Sequence, residues 1–381
     1  MNNVKITTLT PVHVGSGNIL QYGNDFVKGI DKEGYEALGI IDPSKVLQVI
    51  GEDNLNKWVS SIDRGDSTDE IIRGFGKKVG ITSYSSRIIE LYADNVRKTE
   101  TLRELIHDGM GRMYLPGSSI KGAIRTAILA SIIPTDNDEL RQLSLMVEET
   151  RGNRTHVKAN KVEGRYFGDT PNTDCFRFLR VSDAIFDDAC DIALRMVNIN
   201  ERQTQSFWDC SKPQLIEAIS AQESTSCRIS IDYKGHQNAG RNVHDLPTCM
   251  TSLETMFKTI NEHTRSLIES EIEYWNDFTD EDSNKVEEYI QKMKKILQQV
   301  KGCSQSDGKQ CVLRVGHGSG WRFITGAWSE RLDNFDDKIV PASRPTNYKY
   351  TDYDFPKSRR VSDDTDDMNI QLLGFIKLTI S

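Results

Sequence analysis

Alternation of apolar and polar residues marks the candidate strands of this chain. Residues 4–10 alternate and are rich in β-branched side chains, which is typical of a strand with one buried face. The same pattern, or a short apolar run between turn residues, recurs in six further segments: 26–30, 36–41, 175–181, 227–233, 311–315 and 372–380. The first two of these six predict a hairpin.

Helical patterns lie between the candidate strands. Residues 44–50 follow Asp42 and Pro43, which is a typical helix start. Residues 251–275 and 286–300 have the apolar spacing of long helices.

A further predicted helix combines an anion-binding terminus with two cations. It begins after Pro116, where Ser118 or Ser119 can cap its free N–H groups. Lys121 and Arg125 are one turn apart and share a face, while isoleucines form a separate apolar stripe. This combination suits a phosphate backbone. An ordinary amphipathic helix with a solvated basic edge fits the same residues.

Two glycine-rich loops follow predicted strands, and each contains a histidine. Their residues are His13, Gly15, Ser16 and Gly17 in the first loop, and Gly316, His317, Gly318 and Ser319 in the second. Small residues let a backbone approach a ligand closely, and the repetition hints at an internal duplication. A tight turn without any ligand also explains each loop on its own.

The net charge excludes a uniformly basic surface but allows a local one. The 381 residues carry a formal charge of −8, which is unlike a protein coated with basic residues for indiscriminate nucleic-acid binding. Exposed charges are screened over ~8 Å at physiological salt, so a local basic groove is still compatible with this total.

The charges are distributed unevenly along the chain. Residues 151–180 hold seven basic and three acidic residues in a glycine-rich stretch, which predicts a loop that clamps a polyanion. Four of these seven basic residues are candidate contacts, Arg154, Lys158, Lys161 and Arg165, and Tyr166 and Phe167 are candidates for stacking on bases. A solvated, mobile loop is the alternative. Residues 266–290 hold nine acidic residues and one lysine, which predicts a helix facing solvent or a basic partner.

Other patterns in the sequence limit which metal sites, cofactors and catalytic groups we expect. Seven scattered cysteines without a CxxC pair argue against a zinc site or a disulfide framework and fit a reducing cytoplasm. No signal-peptide pattern, apolar run of ~20 residues or nucleotide- or metal-binding motif occurs. We therefore expect a cytoplasmic protein with no membrane segment, metal or other cofactor. His13 with Lys121 is a formal candidate pair for metal-free RNA cleavage, and a histidine that only packs in its loop is the alternative.

Five motifs, taken together, resemble those of RAMP-superfamily proteins of type III-A CRISPR effector (Csm) complexes. In chain order they are HVGSG at 13–17, LPGSSIKGAIRT at 115–126, RVSDA at 180–184, RVGHGSGW at 314–321 and FPKSRR at 355–360. The second motif is shared by several members of the superfamily. The last two point to the subunit at the head of the complex, over the 3′ end of the guide RNA.

This resemblance implies an α+β fold of two tandem ferredoxin-like (RRM-like) domains. We place them at 1–204 and 205–381. The first domain would carry inserted helices at 55–110 and the basic loop at 151–174, and the second would carry inserted acidic helices. The implied RNA contacts are backbone contacts: Ser118, Ser119, Lys121 and Arg125 beside phosphates, and the second glycine loop at 316–320. We add the first glycine loop as a further candidate contact. To these we add the four cations of the basic loop and Lys357, Arg359 and Arg360.

The resemblance also implies a role. It is that of a non-catalytic subunit that caps the filament at the 3′ end of the crRNA (the guide RNA) and assists crRNA 3′ maturation in antiviral defence. The implied partners are crRNA, target RNA, the backbone RAMP subunit, the small helical subunit and host nucleases. Two alternatives stay open. One is a metal-independent endoribonuclease that processes crRNA precursors through His13 or His317. The other is the sibling RAMP subunit at the 5′ end, against which FPKSRR argues.

Overall fold

The structure of the chain is a computed structural model, which describes residues 2–151, 154–200, 208–276, 283–343, 355–356, 358–364 and 369–381. Its α-helices are α1 Pro43–Ile50, α2 Leu55–Asp63, α3 Thr68–Gly74, α4 Gly117–Ile132, α5 Asn137–Val147, α6 Asn160–Phe167, α7 Tyr233–Ala239, α8 Leu253–Asn276, α9 Ser283–Ser304 and α10 Val340–Ser343. None of these helices is long and apolar enough to cross a membrane.

The strands outnumber the helices in the described residues. They are β1 Asn2–Thr8, β2 Gly15–Gln21, β3 Phe26–Ile30, β4 Glu36–Ile41, β5 Ser85–Tyr92, β6 Thr101–Leu105, β7 Met113–Leu115, β8 Glu148–Arg151, β9 Arg154–Val157, β10 Leu179–Val181, β11 Ala184–Phe186, β12 Asp191–Asn200, β13 Trp208–Ile219, β14 Ser224–Ile231, β15 Gln310–Arg314, β16 Ser358–Asp364, β17 Asn369–Gln371 and β18 Phe375–Ile380.

A five-stranded antiparallel sheet has β1 at its centre, in the order β10-β14-β1-β18-β15. β1 pairs with β14 on one side and with β18 on the other, so Val4 lies opposite both Cys227 and Ile380. Val4 and Ile6 are fully buried, whereas Lys5 between them is exposed. The alternation in this segment thus predicts the first strand and its buried face correctly.

A nine-stranded sheet contains β2-β6-β13-β12-β5-β4-β3 in a row, with β16 beside β12 and β17 beside β16. The predicted hairpin is confirmed as β3 and β4, in which Phe26 lies opposite Ile40. β6 and β13 end beside the first glycine loop. There Ile106 donates its N–H to the carbonyl of Val14, and the N–H of Ile219 donates to the carbonyl of Val12.

Helices cover both sheets through apolar faces. Ile120, Ile124 and Ile128 of α4 are fully buried and belong to the same apolar cluster as Val4 and Ile6 of β1. The isoleucine stripe predicted from its spacing is therefore confirmed. α9 packs with C-terminal strands in a second cluster, and α1 to α3 cover the β3–β4 hairpin in a third.

The predicted strand at 175–181 is wrong in its first half. Asp174 accepts a hydrogen bond from the N–H of Phe176, and this cap starts a 3₁₀ turn that takes up 175–178. Only Leu179–Val181 forms a strand. The apolar residues of the turn are buried. The apolar pattern in the sequence therefore reflects burial of these side chains and not a β-strand.

Two predicted insertions contain more regular structure than expected. The basic loop at 151–174 includes part of the β8–β9 hairpin and the helix α6. The segment 55–110 is helical only in α2 and α3, because its later part supplies β5 and β6 to the interior of the nine-stranded sheet. The predicted boundary between residues 204 and 205 lies outside the described residues. Both large sheets take strands from each side of that boundary, and the division into two domains stays a prediction.

The acidic stretch 266–290 is not uniformly solvated. Glu271 of α8 is buried and accepts a bidentate pair of hydrogen bonds from Arg359 of β16, with further bonds from Tyr289 and Trp275. Burial by itself raises the pKa of Glu271, but Arg359, Tyr289 and Arg322 outweigh it and hold that pKa at about 2. Arg359 therefore links the C-terminal strands to α8. Its guanidinium is buried in this ion pair and does not face solvent, unlike the predicted RNA contact.

We predict that Arg359→Met strongly destabilises the fold. The substitution leaves the Glu271 carboxylate buried without its main partner, which typically costs about 3–5 kcal/mol of unfolding free energy. Urea denaturation measures the loss. The matched control is Arg64→Met, because Arg64 pairs with Asp66 on the surface and such pairs contribute only about 0–1 kcal/mol. Equal losses in the two variants would contradict the assignment.

Candidate nucleic-acid interface

The start of α4 is capped differently from the sequence-based prediction. The helix begins at Gly117, and neither Ser118 nor Ser119 caps it. Instead the carboxylate of Asp183 accepts the N–H of Gly117 at 2.7 Å. A Cβ atom on Gly117 would lie 2.4 Å from the carbonyl oxygen of Val181, so only glycine allows this approach. An acidic side chain thus already occupies part of the anion-binding terminus.

The basic face of α4 lines a groove of about 550 Å³ together with α6 and the loop that follows it. Ser118 and Lys121 lie on this groove. Lys121 is half-buried, which lowers its pKa, and it forms no ion pair with any residue that the structure describes. Arg125 differs, because it pairs with Glu163 at 3.0 Å and with Asp174 at 2.9 Å. Arg125 therefore holds α4, α6 and the 3₁₀ turn together.

The other cations of the basic segment do not converge on one surface feature. Lys158 pairs with Glu149 at 2.8 Å, while Lys161 and Arg165 are exposed on α6. Phe167 is fully buried against Phe176, so it is not available to stack on bases. Arg154, another predicted cation, lies in β9. Lys357 lies outside the described residues.

The two glycine loops, far apart in sequence, meet in space. The N–H of His317 donates to the carbonyl of His13 at 2.8 Å, and the two imidazole rings lie 5.8 Å apart in an edge-to-face arrangement. Gly316 has a φ of +79°, and a Cβ atom there would lie 2.4 Å from the same carbonyl oxygen. Glycine is needed at this position for both reasons.

Most polar atoms of the first loop are already bonded. His13 is buried and its Nδ1 lies 2.5 Å from the carbonyl oxygen of Glu217. Burial lowers the pKa of His13, with Arg103 adding to the effect and Glu217 opposing it. The predicted turn at Gly15–Gly17 is instead the exposed start of β2. There the hydroxyl of Ser16 donates to the carboxylate of Glu104 at 3.0 Å.

The second loop is also braced from within. The hydroxyl of Ser319 is buried and donates to the carbonyl oxygens of Val315 and Gly316. Arg314 is buried between two aromatic rings, donates to the carbonyl of Leu373 at 2.9 Å and reaches the carbonyl of Gly318. These bonds fix the loop shape, so the side chains of the loop that face outward are few.

His317 faces the guanidinium of Arg360, and the charge of Arg103 also acts on it. Its Nε2 lies 2.9 Å from Nη1 of Arg360, which also reaches the Oε1 of Gln214 at 3.3 Å. Burial, Arg360, His13 and Arg103 together lower the pKa of His317 to about 4. Neither Arg103 nor Arg360 forms an ion pair with any described residue. We call His13, His317, Arg103 and Arg360 the histidine–arginine cluster.

A cavity of about 420 Å³ continues from this cluster along the nine-stranded sheet. Arg103 and Gln214 line it, together with Arg97 and Arg195. Arg195 is paired with Glu100. Unpaired guanidiniums that are partly shielded from water and close to each other repel, and a phosphate group relieves that repulsion through bidentate hydrogen bonds. The cluster is therefore chemically suited to an anionic backbone.

The sequence points to only part of this arrangement. His13, Gly15, Gly316, His317 and Arg360 were predicted as site residues, and the structure brings them together. Arg103 and Gln214 were missed. Both lie in ordinary strands without a motif, so only the pairing of β6 and β13 places them beside the loops.

Comparisons with known proteins identify a family and a curated relative. The model of the RAMP superfamily matches residues 5–323. The Csm5 protein of Methanocaldococcus jannaschii is 26% identical over 187 residues, which are 48% of this chain and 42% of that protein. This chain thus spans less than half the length of that curated relative.

Two solved structures share the fold. A chain of the Csm–crRNA–target RNA ternary complex of a type III-A CRISPR–Cas system matches with a TM-score of 0.66, 18% identity and full coverage of both chains. The T. onnurineus Csm5 crystal structure matches with a TM-score of 0.64 and 17% identity over 98% of this chain and 99% of that one. The predicted α+β class with RAMP-type ferredoxin-like architecture is confirmed.

We predict that Gly316→Ala separates the two loops. The added methyl group meets the His13 carbonyl at a backbone angle that L residues avoid, so we expect a loss of about 1–3 kcal/mol in unfolding free energy. Urea denaturation tests this. Gly122→Ala is the matched control, because Gly122 is helical with open space around its Cβ position, and alanine there should be neutral or stabilising. An unchanged Gly316→Ala protein would contradict the assigned packing.

Proposed function

The chain belongs to the RAMP superfamily, and on that premise we propose that it is an RNA-binding subunit of a type III-A CRISPR (Csm) effector complex. The resemblance of the full chain to one chain of a Csm–crRNA–target RNA complex supports the proposal. The partial match to a curated Csm5 protein supports it further. In this role the chain contacts crRNA and target RNA and neighbours the backbone RAMP subunit and the small helical subunit.

The observation that carries the proposal is the histidine–arginine cluster. The chain is acidic overall, yet neither Arg103 nor Arg360 forms an ion pair with a carboxylate of the described residues. A protein of net charge −8 has many acidic groups with which to neutralise two arginines, so their isolation favours an external anion. The phosphates of an RNA backbone supply that anion without any sequence preference.

The groove beside α4 is the second proposed contact. Lys121 has no ion pair within the described ranges and lies on the groove together with Ser118, so it suits a further phosphate. Arg125 is committed to Glu163 and Asp174. We therefore assign Arg125 to the support of this groove, and Ser118 and Lys121 to its RNA-facing side. The exposed Lys161 and Arg165 extend the basic surface along α6.

We propose that the subunit is not itself a nuclease. A general base must reach the 2′-hydroxyl of the RNA, and His13 is buried with its Nδ1 bonded to a backbone carbonyl. His317 has a pKa of about 4, which makes it a weak base near neutral pH. Incubation of the purified protein with repeat RNA in EDTA is the test. Cleavage that is lost in His317→Ala would establish the endoribonuclease alternative instead.

We place the subunit at the head of the complex, where it caps the 3′ end of the crRNA and assists 3′ maturation with host nucleases. The C-terminal motif supports this position over the 5′ end. In its described part, Arg360 belongs to the histidine–arginine cluster and Arg359 to the buried pair with Glu271.

We predict that Arg103→Ala and Arg360→Ala each weaken binding of single-stranded RNA about ten- to a hundredfold, because each removes a charge-assisted contact of about 1.5–3 kcal/mol. The slope of log K against log salt should also fall by about 0.7 per lost phosphate contact. Fluorescence anisotropy at several salt concentrations measures both effects. Arg73→Ala is the control, since Arg73 pairs with Asp69 on the surface of α3. Loss of affinity equal to that of the control would refute the assignment.

We predict that bound RNA raises the pKa of His317. In the free protein burial and neighbouring cations hold this pKa at about 4, whereas an adjacent phosphate stabilises the imidazolium and should raise the value by about one unit or more. NMR titration of the imidazole resonances with and without an RNA oligonucleotide measures the shift. His263 on α8, whose pKa burial also lowers to about 4 and which belongs to no proposed RNA contact, serves as internal reference. A His317 pKa that stays unchanged at saturating RNA would place the phosphates elsewhere.

A further inference from the structure

A second polar cluster lies behind the first glycine loop, inside the nine-stranded sheet. It consists of His107, Asp191 and Glu217, whose ligand atoms all lie within 4.8 Å of one another. His107 follows β6, Asp191 begins β12, and Glu217 lies in β13. Neither the RNA contacts nor any sequence motif accounts for these residues.

The imidazole of His107 is oriented like that of a metal-binding histidine. Its Nδ1 lies 2.8 Å from the carbonyl oxygen of Leu105, so in the neutral ring Nδ1 carries the proton and Nε2 bears a lone pair. The side chain is nine-tenths buried, and Nε2 has no hydrogen-bond partner among the described residues. It faces Oε1 of Glu217 at 3.7 Å. Arg87 already donates to this Oε1, but the lone pair of Nε2 stays unpartnered in a buried site, and a cation or a proton between the two atoms would satisfy it.

The carboxylates complete a set of donors that converge on this point. Oδ1 of Asp191 is buried and also lacks a hydrogen-bond partner in the described part of the chain. Glu217 is fully buried, and its carboxylate is held by the N–H of Leu105 at 2.8 Å and by Arg87. Such outer bonds are what orient ligands in known metal sites.

The local charge also favours a divalent cation. Arg87 forms ion pairs with Asp191 and Glu217 of the cluster and with the neighbouring carboxylate of Glu104. With all carboxyls ionised and His107 neutral, three negative charges meet one positive charge. A divalent ion balances the remainder. Without it, burial and the neighbouring Glu217 raise the pKa of Asp191, so a proton is the competing occupant.

We propose that His107, Asp191 and Glu217 form a binding site for a divalent transition-metal ion, with Zn²⁺ or Mn²⁺ as the best match to one imidazole and two carboxylates. The site joins the ends of three strands of the nine-stranded sheet. Glu217 also supplies the carbonyl that bonds His13, so the ion would brace the support of the first glycine loop. The role is structural and involves no reaction step.

The test measures metal binding by the full chain in the absence of RNA, so its outcome is independent of the proposed RNA function. Chelator-treated protein is titrated with ZnCl₂ or MnCl₂ in a calorimeter, which measures the affinity. Mass spectrometry then counts the metal ions bound per chain. We expect one ion per chain and a higher melting temperature when the ion is present. Asp191→Asn and His107→Gln should weaken the affinity about tenfold or more.

Two features keep this test decisive. Asparagine has nearly the same shape as aspartate, so Asp191→Asn is expected to fold, and circular dichroism checks this. His156→Gln is the matched control, because His156 is exposed on β9, and it should bind the ion as the unaltered chain does. Absence of binding by the unaltered chain would overturn the proposal and assign a proton to the cluster. Binding that both substitutions leave intact would overturn it too.

Discussion

The structure depends on the crossing of three backbone segments that come from opposite ends of the chain. His317 donates its N–H to His13, Gly374 donates to Pro11, and Val315 donates to Gly374, each at 2.8 Å. At this crossing the five-stranded sheet meets the nine-stranded sheet. The close approach requires glycine, because a Cβ atom on Gly374 would lie 2.2 Å from the carbonyl oxygen of Val315. One set of backbone hydrogen bonds therefore positions both glycine loops.

The proposed RNA contacts are the polar side chains next to this crossing that the backbone hydrogen bonds do not use. The loops use many of their own hydrogen-bonding groups to hold each other, and the ring of His317 is left to face the guanidinium of Arg360, with Arg103 nearby. These groups are partly shielded from water, which strengthens their interaction with an anion. The buried ion pair between Arg359 of β16 and Glu271 of α8 holds the C-terminal strands against that helix.

Local patterns in the sequence predicted much of the fold. The β1 strand, the β3–β4 hairpin, α4 with its isoleucine stripe and both long C-terminal helices follow from periodicity that reflects burial directly. The failures have physical causes. An Asp174 cap converted half of a predicted strand into a 3₁₀ turn, and Asp183, remote in sequence, replaced the predicted serine caps of α4. Periodicity carries no information about such tertiary hydrogen bonds.

Site residues were predictable only where a motif contained them. His317 and Arg360 belong to recognisable motifs, whereas Arg103 becomes a site residue only because β6 pairs with β13. A structure of this chain bound to guide RNA tests the central claim most directly. We predict RNA phosphates within hydrogen-bonding distance of the guanidiniums of Arg103 and Arg360. An ordered RNA backbone that passes elsewhere, with both arginines facing solvent or protein, would contradict it.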